Sequence, residues 1–291
     1  FNTRTGAVTL SAADVNTAFN TTDAVINGVT VGRGANSVAG NTSLGDDALD
    51  AAVTGDKNTA VGFEALTANT SGARNTSVGS ESLESNTTGT DNTALGRGTL
   101  SSNVSGSFNT AIGKSALTVN TANNNTAVGH QSLDANTTGT NNVAVGMDSL
   151  TANTEGHSNT AVGSEAGDAL TTGDENVALG HGALDGTTTG NGNTAVGTDA
   201  LGKSDYNASY NTAVGYNAML NATTATGTTA IGTQALNTLI SGIDNTAVGS
   251  AALYSNTTGT KNTAVGRETL HANTTGTENT ALGYVALQDN T

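Results

Sequence analysis

A 17-residue period runs through almost the whole chain and fixes most of what it can become. Aligned on Asn-Thr-Ala-Val-Gly, the leading Asn recurs at 41, 58, 75, 92, 109, 125, 142, 159, 176, 193, 211, 245, 262 and 279, with Thr228 in the same place. Every step is 17 residues except one shortened by a residue before Asn125 and one lengthened by a residue before Asn211. Residues 41–291 thus hold 15 units, the last cut short. A period of this size marks a repeat architecture in which each unit buries its apolar groups only against its neighbours.

Numbering the unit from the Asn as position 0 separates fixed from variable places. Position 4 is Gly in all 15 units, position 3 is Val, Leu or Ile, and position 2 is Ala or Ser. Position 8 is Leu in 13 units, replaced once by Met219 and once by Gly167. Asn58, Val61, Gly62 and Leu66 show the pattern in one unit. Asn92, Leu95, Gly96 and Leu100 repeat it, as do Asn262, Val265, Gly266 and Leu270. Asn is frequent at position 11 and Gly at position 14, as in Asn69 and Gly72. Charged residues of both signs gather at the variable positions, such as Phe63-Glu64 and Arg267-Glu268 at 5 and 6, so these face water.

Seventeen residues are too few for the helix pairs of α-solenoids, and the Asn, Thr and Gly density opposes helix. Asn-Thr-Ala-Val-Gly reads as a short strand whose side chains alternate between two faces. Neither position 2 nor position 3 carries charge, so both faces are expected to be covered: the aliphatic at 3 by the chain's own core, the Ala at 2 by a neighbouring chain. A second short strand is expected through positions 7 and 8 toward 11, bringing Leu into the core. Gly at 4 and 14 then marks the reversals, where positive φ or close backbone packing is needed. The expected fold is all-β, a parallel β-solenoid of 17-residue coils. Stacking at ~4.8 Å places each Asn above the next as a hydrogen-bonding ladder and makes a rod of roughly 70 Å.

Each coil offers about one Val and one Leu as large apolar groups, a small return for ordering 17 residues. Burial against further copies answers that deficit, so the expected assembly is a parallel, in-register homotrimer. Net charge is −15, with 9 basic and 24 acidic residues. An acidic rod repels phosphate backbones and anionic lipid heads, which argues against nucleic acid as a partner. No apolar run approaches the ~20 residues of a membrane span, so no membrane insertion is expected. The chain has no Cys, which removes disulfides and thiolate metal sites.

Two stretches outside the array carry a resemblance. Phe1-Asn-Thr-Arg-Thr-Gly-Ala-Val-Thr-Leu10 with Ser-Ala-Ala-Asp-Val15 is similar to a linker of bacteriophage tail-fibre proteins. Ile26-Asn-Gly-Val-Thr-Val-Gly-Arg-Gly34, leading into the array, resembles fibres of phages of aquatic bacteria. The array itself is similar to head repeats of trimeric autotransporter adhesins, whose units are shorter than 17 residues. The phage resemblance implies a trimeric shaft on the virion, attached to baseplate or tail proteins and carrying a tip for a host cell-surface receptor. It divides the chain into a linker or collar over 1–23, a transition over 24–40 and the shaft over 41–291.

No catalytic, cofactor or metal constellation stands out, and a non-enzymatic rod with no cofactor is expected. His130, His157, His181 and His271 lie on variable positions several units apart, whereas metal ligands must converge. Asp46-Asp47 and Asp174-Glu175 read as solvated turns, and the Gly-rich stretches lack the Lys-Ser/Thr of a phosphate loop. The one candidate surface-binding loop is the insertion Lys203–Tyr210, where Tyr206 and Tyr210 could stack on a sugar ring. Leu170 is expected to refill the core beside Gly167. Three roles remain open: a phage-fibre shaft, a bacterial surface adhesin or extracellular filament, and an ice-binding solenoid using the Thr at position 1.

Overall fold

A computed structural model describes residues 24–26, 29–203 and 207–290 of the chain. The linker over 1–23 lies outside the described residues. Strands β1 (Ala24–Ile26) and β2 (Val29–Gly32) pair antiparallel, and β2 pairs antiparallel with β3 (Thr42–Leu44). From β3 to β17 (Thr280–Leu282) fifteen three-residue strands stack parallel and in order, one per repeat. The register is strict: Thr59 lies over Thr76, Ala60 over Ser77 and Val61 over Val78. The fold is therefore an all-β parallel solenoid, as the 17-residue period predicts.

The strand faces are the reverse of the expected ones. Ala60, Ala94, Ala111 and Ala264 at position 2 are wholly buried, while Leu95 and Leu179 at position 3 are each 46% exposed. Val61 and Val265 are likewise partly open to solvent. The cause is the thinness of the coil. Leu66, Leu100 and Leu270 at position 8 cross the interior and are fully buried. Positions 2 and 7 come close enough that, where both are Ser, the Ser77 hydroxyl bonds the Ser82 carbonyl oxygen at 2.8 Å. Position 2 holds only Ala or Ser and position 7 only Ala, Ser or Thr, so the larger aliphatic at position 3 turns outward. Apolar character alone does not place a residue inside.

Among the described residues the second expected strand is absent; positions 5 to 10 are continuous turn in every coil but the first. Leu66, Leu100 and Leu270 sit at φ of 54, 50 and 51, a left-handed conformation costly for a bulky L-residue. Positions 6 and 16 are left-handed too, as at Glu64 and Arg74. What holds them there is hydrogen bonding between coils. Leu66 N–H donates to the Ser82 carbonyl at 3.1 Å, Glu64 N–H to Asp46 at 3.0 Å and Arg74 N–H to Asp56 at 3.0 Å. The turns thus join the coil-to-coil ladder almost as fully as the strands, satisfying buried backbone groups.

Two columns of buried Asn close the interior. Asn75 N–H donates to Asn58 Oδ1 at 3.0 Å, and Asn75 Nδ2 reaches the same oxygen at 3.2 Å and the Gly89 carbonyl at 2.8 Å. The same links join Asn92 to Asn75 and Asn262 to Asn245. A second ladder at position 11 links Asn86 to Asn69 at 2.9 Å and Asn153 to Asn136 at 2.9 Å. It stops at Leu170, whose buried side chain takes the place of the Asn against Gly173 and leaves Asn153 Oδ1 without a partner. Leu170 joins the buried core as expected, but from the Asn column; it is Leu150 of the preceding coil that faces Gly167, and one ladder rung is lost. Leu170→Ala is expected to cost about 2–5 kcal/mol by leaving a cavity. The paired exchange Gly167→Leu with Leu170→Asn restores both columns and is expected to return to within about 1 kcal/mol of the parent in urea melts.

Candidate functional site

The repeat residues form a scaffold with one distinctive surface. Gly62, Gly96 and Gly266 at position 4 have φ of 135, 138 and 132 and lie against the next coil's glycine, which keeps the strand ends flush. Beside them the outward strand face presents two continuous columns: Thr in thirteen coils and Val in two at position 1, and only Val, Leu or Ile at position 3. Leu44, Leu95, Leu179 and Ile231 are 40–46% exposed along this face. Position alternation on a strand fixes this pairing of Thr and aliphatic on one side, with Ala on the other.

The candidate tyrosine loop is only half placed. Tyr206 lies outside the described residues. Tyr210 is 66% exposed, yet it behaves as an ordinary position-16 residue: φ is 58, and its N–H donates to the Asn191 carbonyl at 2.8 Å. Its ring lies over Gly192 of the preceding coil. The lengthened coil regains register at once, with Asn211 N–H reaching Asn193 Oδ1 at 3.1 Å.

The histidines stay apart. His157 Nδ1 accepts from Thr140 N–H at 2.9 Å, and the His271 ring stacks on Tyr254 at 5.2 Å. His130 and His181 lie beside Asp148 and Glu165 at 3.9 and 3.7 Å. Among the described residues no group of three or more His, Asp or Glu converges in metal-binding geometry. Nor is any helix among them long and apolar enough to cross a membrane. Asp174, one of the turn carboxylates, is engaged in the stack, its Oδ1 accepting from His157 N–H at 2.6 Å.

One acidic group departs furthest from its ordinary behaviour, and sequence reading missed it. Asp185, half-buried at position 9 with Oδ1 unpartnered, has its pKa raised from 3.8 to about 6. Burial is the main cause, followed by the charges of Asp168, Asp199 and Glu165. Burial raises the Asp168 pKa as well. A raised carboxyl pKa means that the folded chain holds an extra proton between about pH 4 and pH 6, so stability falls as pH rises through that window. Asp185→Asn is therefore expected to stabilise the fold at pH 7 by about 1 kcal/mol, after discounting for solvent screening, and to change little at pH 4. Paired urea melts at the two pH values measure the difference. Its sequence signal is only a run of position-9 acids on successive coils, Asp168 and Asp185, which stacking brings together.

Compared with models of known families, with curated proteins and with solved structures, the chain has no match, and what it does must be argued from its own geometry.

Proposed function

We propose that this chain is the shaft of a fibre of the phage-tail type, a trimeric spacer that holds a receptor-binding tip away from the particle. The observation that carries this reading is the unbroken register from β3 to β17. Fifteen strands translate along one axis without an inserted domain, and even the shortened and lengthened coils rejoin the Asn ladder. Such a stack is a device for spanning distance: roughly 70 Å at ~4.8 Å per coil. The leader's likeness to tail-fibre linkers supports the same assignment. In this reading the function is mechanical, the partners are further copies of the chain, tail proteins and, through the tip, a host receptor.

Imaging of intact particles and cells with an antibody to residues 41–290 tests it. Label along virion fibres is the expected result. Label on bacterial envelopes would instead assign the chain to a surface adhesin, which the likeness of the array to adhesin heads accommodates.

A second reading has one observation in its favour: the Thr column points outward and lies flat in register, as a surface matching ice would require. A thermal hysteresis of zero in the purified chain removes it.

A further inference from the structure

We infer that the outward face built from positions 1 and 3, with its borders at positions 5 and 16, is the surface through which copies of this chain pack on one another. The inference rests on the shaft reading and assigns the contact that reading needs. It also moves that contact from the Ala column, which is buried inside each coil, to the opposite side of the strand.

Three observations point to a second copy as the occupant. The first is the size and chemistry of the face. It carries no charge at positions 1 or 3 on any of the 15 coils, and its aliphatic column is partly exposed throughout. A strip roughly 70 Å long and about 10 Å wide offers on the order of 700 Å² before its borders are counted. A stable interface needs about 800 Å² per partner, so strip and borders together suffice.

The second is where the charge lies. The array has seven Lys and Arg, and six of them border this face: Arg97, Lys114 and Arg267 at position 5, Lys57, Arg74 and Lys261 at position 16. Five of the array's 22 acidic residues share those columns. The remaining columns hold one base, Lys203, and 17 acids. Like copies of an acidic rod therefore repel on every side except this one, where the bordering charge nearly cancels. The same columns hold Phe63, Phe108, Tyr216 and Tyr284, each at least 45% exposed, and aromatics are enriched where proteins meet.

The third is the pairing that parallel packing creates. In a parallel, in-register assembly, position 5 of one copy lies against position 16 of the next. Arg97 then lies level with Asp91, which also holds Arg74 of its own chain, while Asp46 comes within one coil of Lys57, and Arg267 lies between Lys261 at its own level and Glu278 one coil on. Antiparallel packing brings like columns together and loses this match.

Because the chain has no Cys, single thiols test the face directly. Val162→Cys lies at position 3 on the middle strand of the fifteen, β10 (Thr160–Val162), and Val78→Cys lies off-centre on β5 (Thr76–Val78). Thr138→Cys lies on an exposed turn away from the face and serves as control. Light scattering should give three times the 28.5 kDa chain mass. Oxidation should cross-link V162C and V78C chains to covalent dimers while T138C stays at background, and Val162→Lys should reduce the mass to that of one folded chain. A wild-type monomer with a reactive V162C thiol, with or without thermal hysteresis, overturns both this inference and the trimeric shaft. An oligomer whose V162C thiol is as open to a bulky maleimide as T138C, or that cross-links at T138C alone, overturns the face and leaves self-association standing. Cross-linking of V162C without V78C overturns the parallel register.

Discussion

Gly96→Ala is expected to part the stack between two coils, with a loss of about 3 kcal/mol or more. The added Cβ would stand 2.7 Å from the Gly113 carbonyl oxygen and 2.8 Å from its carbon, both of them backbone. Neither atom can rotate away, so coil spacing itself must give, and overpacking of this kind costs about 1–3 kcal/mol. The φ of 138 adds strain that no L side chain tolerates well, about 1–2 kcal/mol. Gly98→Ala is the matched control, because a Cβ there meets nothing within 4 Å and only φ, at 65, is unfavourable. It should lose about 1 kcal/mol. Limited proteolysis and hydrogen exchange across residues 92–113 read both variants. Equal protection in the two would show that close glycine packing does not hold the coils together. Local readouts suit a repeat stack better than one global midpoint, since such arrays need not unfold in a single step.

The Asn column should be nearly as sensitive. Asn92 Oδ1 accepts from Asn109 N–H at 3.0 Å and from Asn109 Nδ2 at 3.1 Å. Its own Nδ2 donates to the Gly106 carbonyl at 2.8 Å and to Asn75 Oδ1 at 3.1 Å. Asn92→Ala leaves several of these buried groups unpaired at about 1–3 kcal/mol each, for an expected loss of about 3–5 kcal/mol. The natural exception supports the reasoning. Thr228 keeps an acceptor in the same place, though Asn245 N–H reaches its Oγ1 only at 3.4 Å. Asn92→Thr should thus cost less than half as much as Asn92→Ala. Thr228→Asn should raise stability by about 1 kcal/mol by closing the ladder. Exchange of the Asn109 and Asn245 amides reports each change; unaltered exchange in Asn92→Ala would mean that the ladder is incidental.

How far the sequence reveals this architecture depends on the kind of signal. Period, strand placement, the Leu core and the Asn ladder are legible because each coil repeats its contacts, so an invariant position 4 and nearly invariant positions 0 and 8 mark burial or close approach directly. The orientation of positions 2 and 3 is not, because both exclude charge and hydrophobicity favours Val over Ala for the interior. The deciding quantity is the gap across the coil, set by a Leu arriving from the far side. The left-handed turns replaced the expected second strand for a related reason. Leu is a poor advertisement for positive φ, and only occasional glycines betray it: Gly98 and Gly182 at position 6, Gly167 at 8, Gly192 and Gly227 at 16. Charge segregation was also present in the sequence, but it acquires meaning only once positions 5 and 16 are seen to border one exposed face.

Each 17-residue coil closes over Ala and turns its Thr and aliphatic columns outward. A cryo-electron microscopy map of the rod that resolves side chains tests it most directly. One coil per ~4.8 Å along the axis, small density at position 2 inside each coil and branched density at position 3 on its outer surface is the expected result. A map with the branched side chains enclosed and the alanines outside, or with another axial repeat, would contradict it.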